Sequence, residues 1–263
     1  MHIDKQIFIL WLQGWDNAPW LQKQVAKSWE INNPEWKIIY IDFDNLKNYV
    51  SDIDYIYDET KDITPQAKSD IIRLSLLKNH GGVWADATLL CMQPLDYWIE
   101  EAVDQYGFWM HRGAAGNHMS NREGCAVWFM ISEKDNFIIT EWKTKCDEYW
   151  NSRTSAHNYF WIDSLFKDKF ETDEKFKRDW LNIKSICVDD EGQPHCLITY
   201  GLHTNNPYIK KTLTERPPYV LKLQSYWNNI FTDKETEECK NSNCYHAIEM
   251  SKRKYTYKHE LNL

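Results

Sequence analysis

Two aspartates flank a glycine pair in SDIIRLSLLKNHGGVWADATLL (Ser69 to Leu90), and each sits where an apolar pattern would not place it. Asp86 interrupts a run that reads as a buried strand. On a period of two, Val83, Ala85 and Ala87 share one side, while Trp84, Asp86 and Thr88 share the other. A carboxylate and a hydroxyl pointing together at the carboxyl end of a sheet strand lie where open α/β folds bind ligands. The two oxygens suit a hard divalent cation, Mn²⁺ or Mg²⁺, that keeps most of its waters and takes diphosphate oxygens as its other ligands. A strand-end carboxylate that caps a turn satisfies the same spacing equally well.

Asp70 and Arg73 stand one turn apart in PQAKSDIIRLSLLKNH. Thr64 as N-cap, Pro65 at the first helical position and Gly81 past the end predict a helix over 65–80. Ala67, Ile71 and Leu74 form its core stripe, with Asp70 at the edge. An ordinary solvated ion pair accounts for the i,i+3 spacing, and position beside the stripe weakens that reading. Asp163 is a second candidate carboxylate in apolar context, on a predicted helix with Phe160, Ile162, Leu165 and Phe166, where a lone helix aspartate is more often solvated than functional. His111, His118, His195 and His203 show no metal-ligand spacing and are assigned no chemistry.

The elements that must position these groups open as strand, helix, strand. IFILW (Ile7 to Trp11) reads as a strand, Leu21, Val25 and Trp29 mark a helix ending before Asn33-Pro34, and WKIIYI (Trp36 to Ile41) is the next strand. This is the crossover unit of a mainly parallel sheet. Neither strand is followed by GxGxxG or GxxxxGK[ST], so the usual phosphate cradles are absent.

The 263 residues suit one sizeable α/β domain over 1–230, with a polar tail over 231–263 as a lid or appendage. A net charge of −8 argues against a nucleic-acid partner, which needs a basic surface. No apolar run is long enough to span a bilayer, no signal peptide opens the chain, and the seven scattered cysteines suit a reducing compartment. The expectation is a cytoplasmic protein. Fourteen tryptophans and fifteen tyrosines suit stacking on sugars, and suit an aromatic core more.

The run SDIIRLSLLKNHGGVWADAT resembles the signature of glycosyltransferase family 32 and of the related capsular polysaccharide synthesis proteins. IFILWLQGWDNAPWLQKQVAKSWEINNPEWKIIYID is similar to the capsular branch, and the likeness thins to NYFWIDSLF and YVLKLQSYW downstream. It implies a GT-A type, Rossmann-like nucleotide-sugar-binding domain with a mixed central sheet flanked by helices. The implied reaction is that of a retaining hexosyltransferase, moving sugar from a nucleotide-sugar donor, most naturally UDP-linked, to an oligosaccharide or polysaccharide acceptor. By position, Trp11, Gly14, Asp70, Arg73, Gly82, Asp86 and Lys222 would bind the donor, and Asp86 and Thr88 the metal. Catalysis would rest on Asp70, Arg73, Asp163 and Lys222. Thr88 replaces the second aspartate of the Asp-x-Asp motif, which should weaken metal affinity, and Lys222 could supply the missing positive charge. A surface or snorkelling lysine on a strand accounts for Lys222 equally well.

Two rival classes fit parts of the chain. YIDFDN (Tyr40 to Asn45) superficially matches the nucleophile motif of haloacid-dehalogenase-type phosphatases, through Asp42 and Asp44, but Leu46 stands where that motif has Thr. A non-catalytic carbohydrate-binding module is the other. The segment MHRGAAGNHMSNREG (Met110 to Gly124) is expected to contribute specificity. SKRKYTYKH in the tail could meet an acceptor or a membrane surface, against the plainer reading of a solvated terminus.

Overall fold

The computed structural model describes residues 2–113, 119, 123–229 and 237–253. Among the described residues the strands are β1 (Gln6–Leu10), β2 (Lys37–Ile41), β3 (Gly82–Ala85), β4 (Leu89–Cys91), β5 (Phe108–Arg112), β6 (Cys125–Ser132) and β7 (Val220–Lys222). The helices are α1 (Trp20–Asn32), α2 (Pro65–His80), α3 (Ile99–Val103), α4 (Phe137–Asn151) and α5 (Trp161–Thr172), then α6 (Glu174–Asn182), α7 (Pro194–Thr199), α8 (Pro207–Glu215), α9 (Glu237–Asn241) and α10 (Asn243–Ser251).

Five strands form one mixed sheet in the order β2-β1-β3-β6-β5. β1 runs parallel to β2 and to β3, whereas β6 is antiparallel to β3 and to β5. The expected mixed sheet flanked by helices is therefore present. Because β6 runs against β3, the carboxyl ends of β1 and β3 and the start of β6 meet at one edge. α2 precedes β3, so its first turns open on that same edge.

α2 has the predicted limits. Thr64 Oγ1 accepts the Ala67 N–H, Pro65 takes a position whose N–H needs no partner, and Gly81, at φ 66°, ends the helix. The helix packs on β3, β6 and α4. Eight tryptophans, including Trp29, Trp84, Trp142 and Trp180, are fully buried, so the aromatic richness is largely a matter of core.

The strand expected through VWADATLL is broken. β3 stops at Ala85, Asp86 and Thr88 lie in the connecting turn, and β4 leaves to pair antiparallel with β7, with Leu89 opposite Lys222. The turn is held by Asp86 N–H to Trp128 O (2.9 Å) and Leu89 N–H to Asp86 O (2.9 Å). Alternation carried across the break would have kept one sheet; the chain instead bends from a five-stranded sheet into a two-stranded one.

Within the expected tail, α10 packs on α1 and α8, and Asn32 donates to Ser251 O at 2.6 Å. Most of SKRKYTYKH, and the centre of Met110 to Gly124, lie outside the described residues. Among the described residues, no helix is long and apolar enough to cross a membrane.

Candidate active site

At the carboxyl edge of β1 and β3 lies a cavity of about 540 Å³. Its walls come from the end of β1, the first turns of α2, the β3–β4 turn, the start of β6, the start of α5, α7 and β7. The sequence-predicted residues Trp11, Asp70, Arg73, Asp86, Thr88, Asp163 and Lys222 all line it. Gly14 and Gly82 do not. Gly82, at φ 91°, opens β3 at the opposite edge, where an added Cβ would lie 2.6 Å from Gln6 O. Its missing side chain admits a neighbouring strand rather than a ligand. Gly14, at φ 86°, turns the chain after β1 and donates to Trp11 O. Asp42 and Asp44 are also outside: Asp42 Oδ1 accepts the N–H groups of Asp44 and Asn45, closing a turn.

The Asp70–Arg73 pair is not a solvated one. Asp70 is 8% and Arg73 5% exposed, and Arg73 Nη2 lies 3.2 Å from Asp70 Oδ1 and 3.4 Å from Asp86 Oδ1. Arg73 is held by Val127 O at 2.8 Å and Ser69 Oγ at 3.1 Å, with its guanidinium 5.1 Å from the Trp84 ring centre. One fixed cation thus ties α2 to the β3–β4 turn.

Lys222 approaches from β7. Its Nζ donates to Asp86 Oδ2 at 3.0 Å and to Thr88 Oγ1. Trp84 Nε1 donates to Asp86 Oδ1 at 3.0 Å. Asp86 and Thr88 do point together, as their spacing predicts, and what they hold here is an ammonium. Both carboxylate oxygens of Asp86 already face cations. Among the described residues, no group of three or more His, Cys, Asp or Glu side chains gathers in a way that could hold a metal ion. As arranged, these donors do not fit a divalent cation, which needs oxygens free of competing positive charge.

The three carboxylates differ in their proton affinity. Burial pushes Asp70 up to about 7, outweighing the Arg73 attraction and reinforced by Asp163 and Asp86. Burial likewise raises Asp163 to about 6, against a thiol contact from Cys125 at 3.5 Å. Burial would raise Asp86 as well, but Lys222 and then Arg73 hold it below the ordinary carboxylate value. The cavity therefore carries one firmly ionised carboxylate and two whose protons move near neutrality.

Sequence reasoning missed His195 and Tyr159. His195, on α7, lines the cavity with its Nδ1 3.5 Å from Asp189 Oδ1; burial lowers its proton affinity, Asp189 opposes the shift, and Lys222 adds to it. A lone histidine without metal spacing gave no signal, and only the path of α7 beside β7 brings it in. Tyr159, 72% exposed at the cavity mouth, directly precedes Phe160, the N-cap residue of α5.

Against known proteins, the chain is 24% identical over 174 residues to the O-glycosyltransferase braB of Annulohypoxylon truncatum, covering 59% of this chain and 40% of that protein. It is 30% identical over 103 residues to the glycosyltransferase afumC of Aspergillus fumigatus (strain CBS 144.89 / FGSC A1163 / CEA10), covering 35% of this chain and 26% of that one. The chain thus spans less than half the length of either curated relative. Among solved structures it matches the PaToxG glycosyltransferase at a TM-score of 0.45 and 15% identity, over 95% of this chain and 87% of that one. The family model described as capsular polysaccharide synthesis protein matches residues 1–216, so the chain belongs to the capsular polysaccharide synthesis protein family.

Proposed function

We propose that the chain is a retaining glycosyltransferase of the GT-A kind that moves a hexosyl unit from a nucleotide sugar, most naturally UDP-linked, to an oligosaccharide or polysaccharide acceptor. The observation that carries the reading is the Lys222–Asp86–Arg73–Asp70 chain of charges in a cavity at the sheet's carboxyl edge. Family membership and the glycosyltransferase names of the curated relatives support it.

In this reading, Trp11, Leu12 and Gln13 offer a flat apolar surface and an amide to the base and ribose. Lys222 gives its ammonium to the diphosphate, neutralising charge as the sugar–phosphate bond breaks. That places a fixed protein cation where a metal ion would otherwise act. Asp70 and Asp163, protonated or ionised near neutrality, bond the hydroxyls of the donor sugar. Arg73 fixes Asp70 and Asp86 relative to one another, so the reacting groups meet without reorganisation.

Thermal shift with a panel of UDP- and GDP-sugars, on the wild type and on Asp86→Ala, tests this. One donor should raise the wild-type melting temperature, by about 2.7 kcal/mol of added stability at a hundredfold excess over Kd, and should fail to do so in the variant. No response to any nucleotide sugar would sink the proposal.

A further inference from the structure

A second cavity of about 480 Å³ opens beside the first, lined by Asp189, Glu191, Cys196, Tyr200, Asn206 and Tyr208. Tyr200 and Tyr208 are 56% and 44% exposed, and their rings meet edge to face with centres 6.0 Å apart. The Tyr208 hydroxyl donates to Glu191 Oε1 at 2.6 Å, which pins that ring. Asn206 ties the two together, donating to Tyr200 O at 3.2 Å and accepting the Tyr208 N–H at 3.0 Å. One side-chain contact joins the two linings. Asp189 faces the second, His195 faces the first, and the pair is in contact at 3.5 Å.

We propose that this second cavity is the subsite for a neutral acceptor saccharide, whose reactive end passes the Asp189–His195 pair into the main cavity. Half-exposed aromatic faces stack on the C–H faces of pyranose rings, and two tyrosines set at an angle offer such faces to two successive sugars. Carboxylates and an amide carbonyl accept hydrogen bonds from sugar hydroxyls. Among the described residues no lysine or arginine lines the cavity, so Asp189 and Glu191 repel phosphates and sugar acids and leave neutral sugars as the fitting class. The proposal rests on the transferase reading, since it names that reaction's acceptor site.

The test is saturation-transfer NMR on the full chain with maltose, lactose, cellobiose and chitobiose, alongside thermal shift with the nucleotide sugars. At least one disaccharide should bind, with binding weakened about tenfold in Tyr200→Ala and in Tyr208→Ala and kept in Tyr200→Phe. Both alanine variants replace half-exposed rings and should keep the nucleotide-sugar response. Disaccharide binding indifferent to both truncations would overturn the subsite. So would silence from all four disaccharides in a protein that still responds to a nucleotide sugar. A wild type that responds to no nucleotide sugar would bring down the transferase reading, and the subsite with it.

Discussion

Replacing Lys222 with Met removes the charge and keeps most of the volume, and the structure sets the size of two separate effects. The ammonium lies 3.0 Å from Asp86 Oδ2 with its side chain 17% exposed. At an effective dielectric of 20, that contact alone is worth roughly 5 kcal/mol of gross attraction, most of it offset by desolvation. Stranding a buried charge costs about 3–5 kcal/mol when nothing else faces it. Asp86 keeps Arg73 at 3.4 Å and the Trp84 N–H at 3.0 Å, so the loss of stability should be nearer to about 1–2 kcal/mol. For a chain of this length that is a fall of about 2–8 °C in Tm. On the proposed reading catalysis should suffer more, because there the lysine's charge meets the departing diphosphate, and a fixed charge so placed is worth about 10²–10³ in rate. Transfer is followed by nucleotide release at saturating donor and acceptor, with Lys222→Arg as the charge-keeping control and EDTA added to the wild type. A folded Lys222→Met enzyme within about threefold of wild type would refute the role. So would a hundredfold loss in the wild type on chelation, because the lysine would then not be standing in for a metal.

Asp70 and His111 bear on stability against pH. Asp70 holds its proton up to about 7, above its value of 3.8 when unfolded, so the native state binds more protons and loses stability as pH rises from 3.8 through 7. Asp70→Asn should remove that loss, raising stability at pH 8 by about 1–3 kcal/mol and by less at pH 5; a variant equally shifted at both pH values would contradict this. His111 is fully buried, neither ring nitrogen has a hydrogen-bond partner among the described residues, and burial lowers it to about 3, with His195 adding to the shift. The unfolded state therefore binds the extra proton, and stability falls as pH drops from 6.5 toward 3. His111→Phe should flatten that acid limb and add about 1–2 kcal/mol at pH 5, read from urea midpoints; an unchanged limb would assign it to other groups.

What could be read from the chain alone divides by the range of the interaction that decides it. α2 was legible to the residue because its limits are local: a capping hydroxyl, a proline and a glycine within or beside the helix. Asp86 was legible as an anomaly, because a carboxylate in an apolar run stands out in any register. The break after Ala85 was not, since β4 leaves the sheet for β7, a strand far along the chain. Lys222 looked equally like a surface lysine until that pairing fixed its direction. Asp163 could be solvated or buried on its helical spacing, and contact with β6 through Cys125 decided it. Gly82, carried over by position from the resemblance, lies at the far edge of β3, where its missing side chain admits β1; a strand-start glycine alone does not tell that from close approach of a ligand.

The pairing of β4 with β7 also bears on how the protein comes to be folded. Lys222 reaches Asp86 across 136 positions, and β7 lies beyond residues 1–216, the part the family model matches. Closure of so long a loop is entropically late, and contacts of high sequence separation slow folding. The five-stranded sheet, built from residues before 133, is expected to assemble while the charge chain is still missing its last member. During synthesis, Asp86, Thr88 and the unpaired edge of β4 would stand exposed until the ribosome has released the segment that covers them. A chain cut before Val220 would then lack the ammonium together with α10, which follows β7 and packs on α1 and α8, so the site and that flank of the fold are completed by the same late segment.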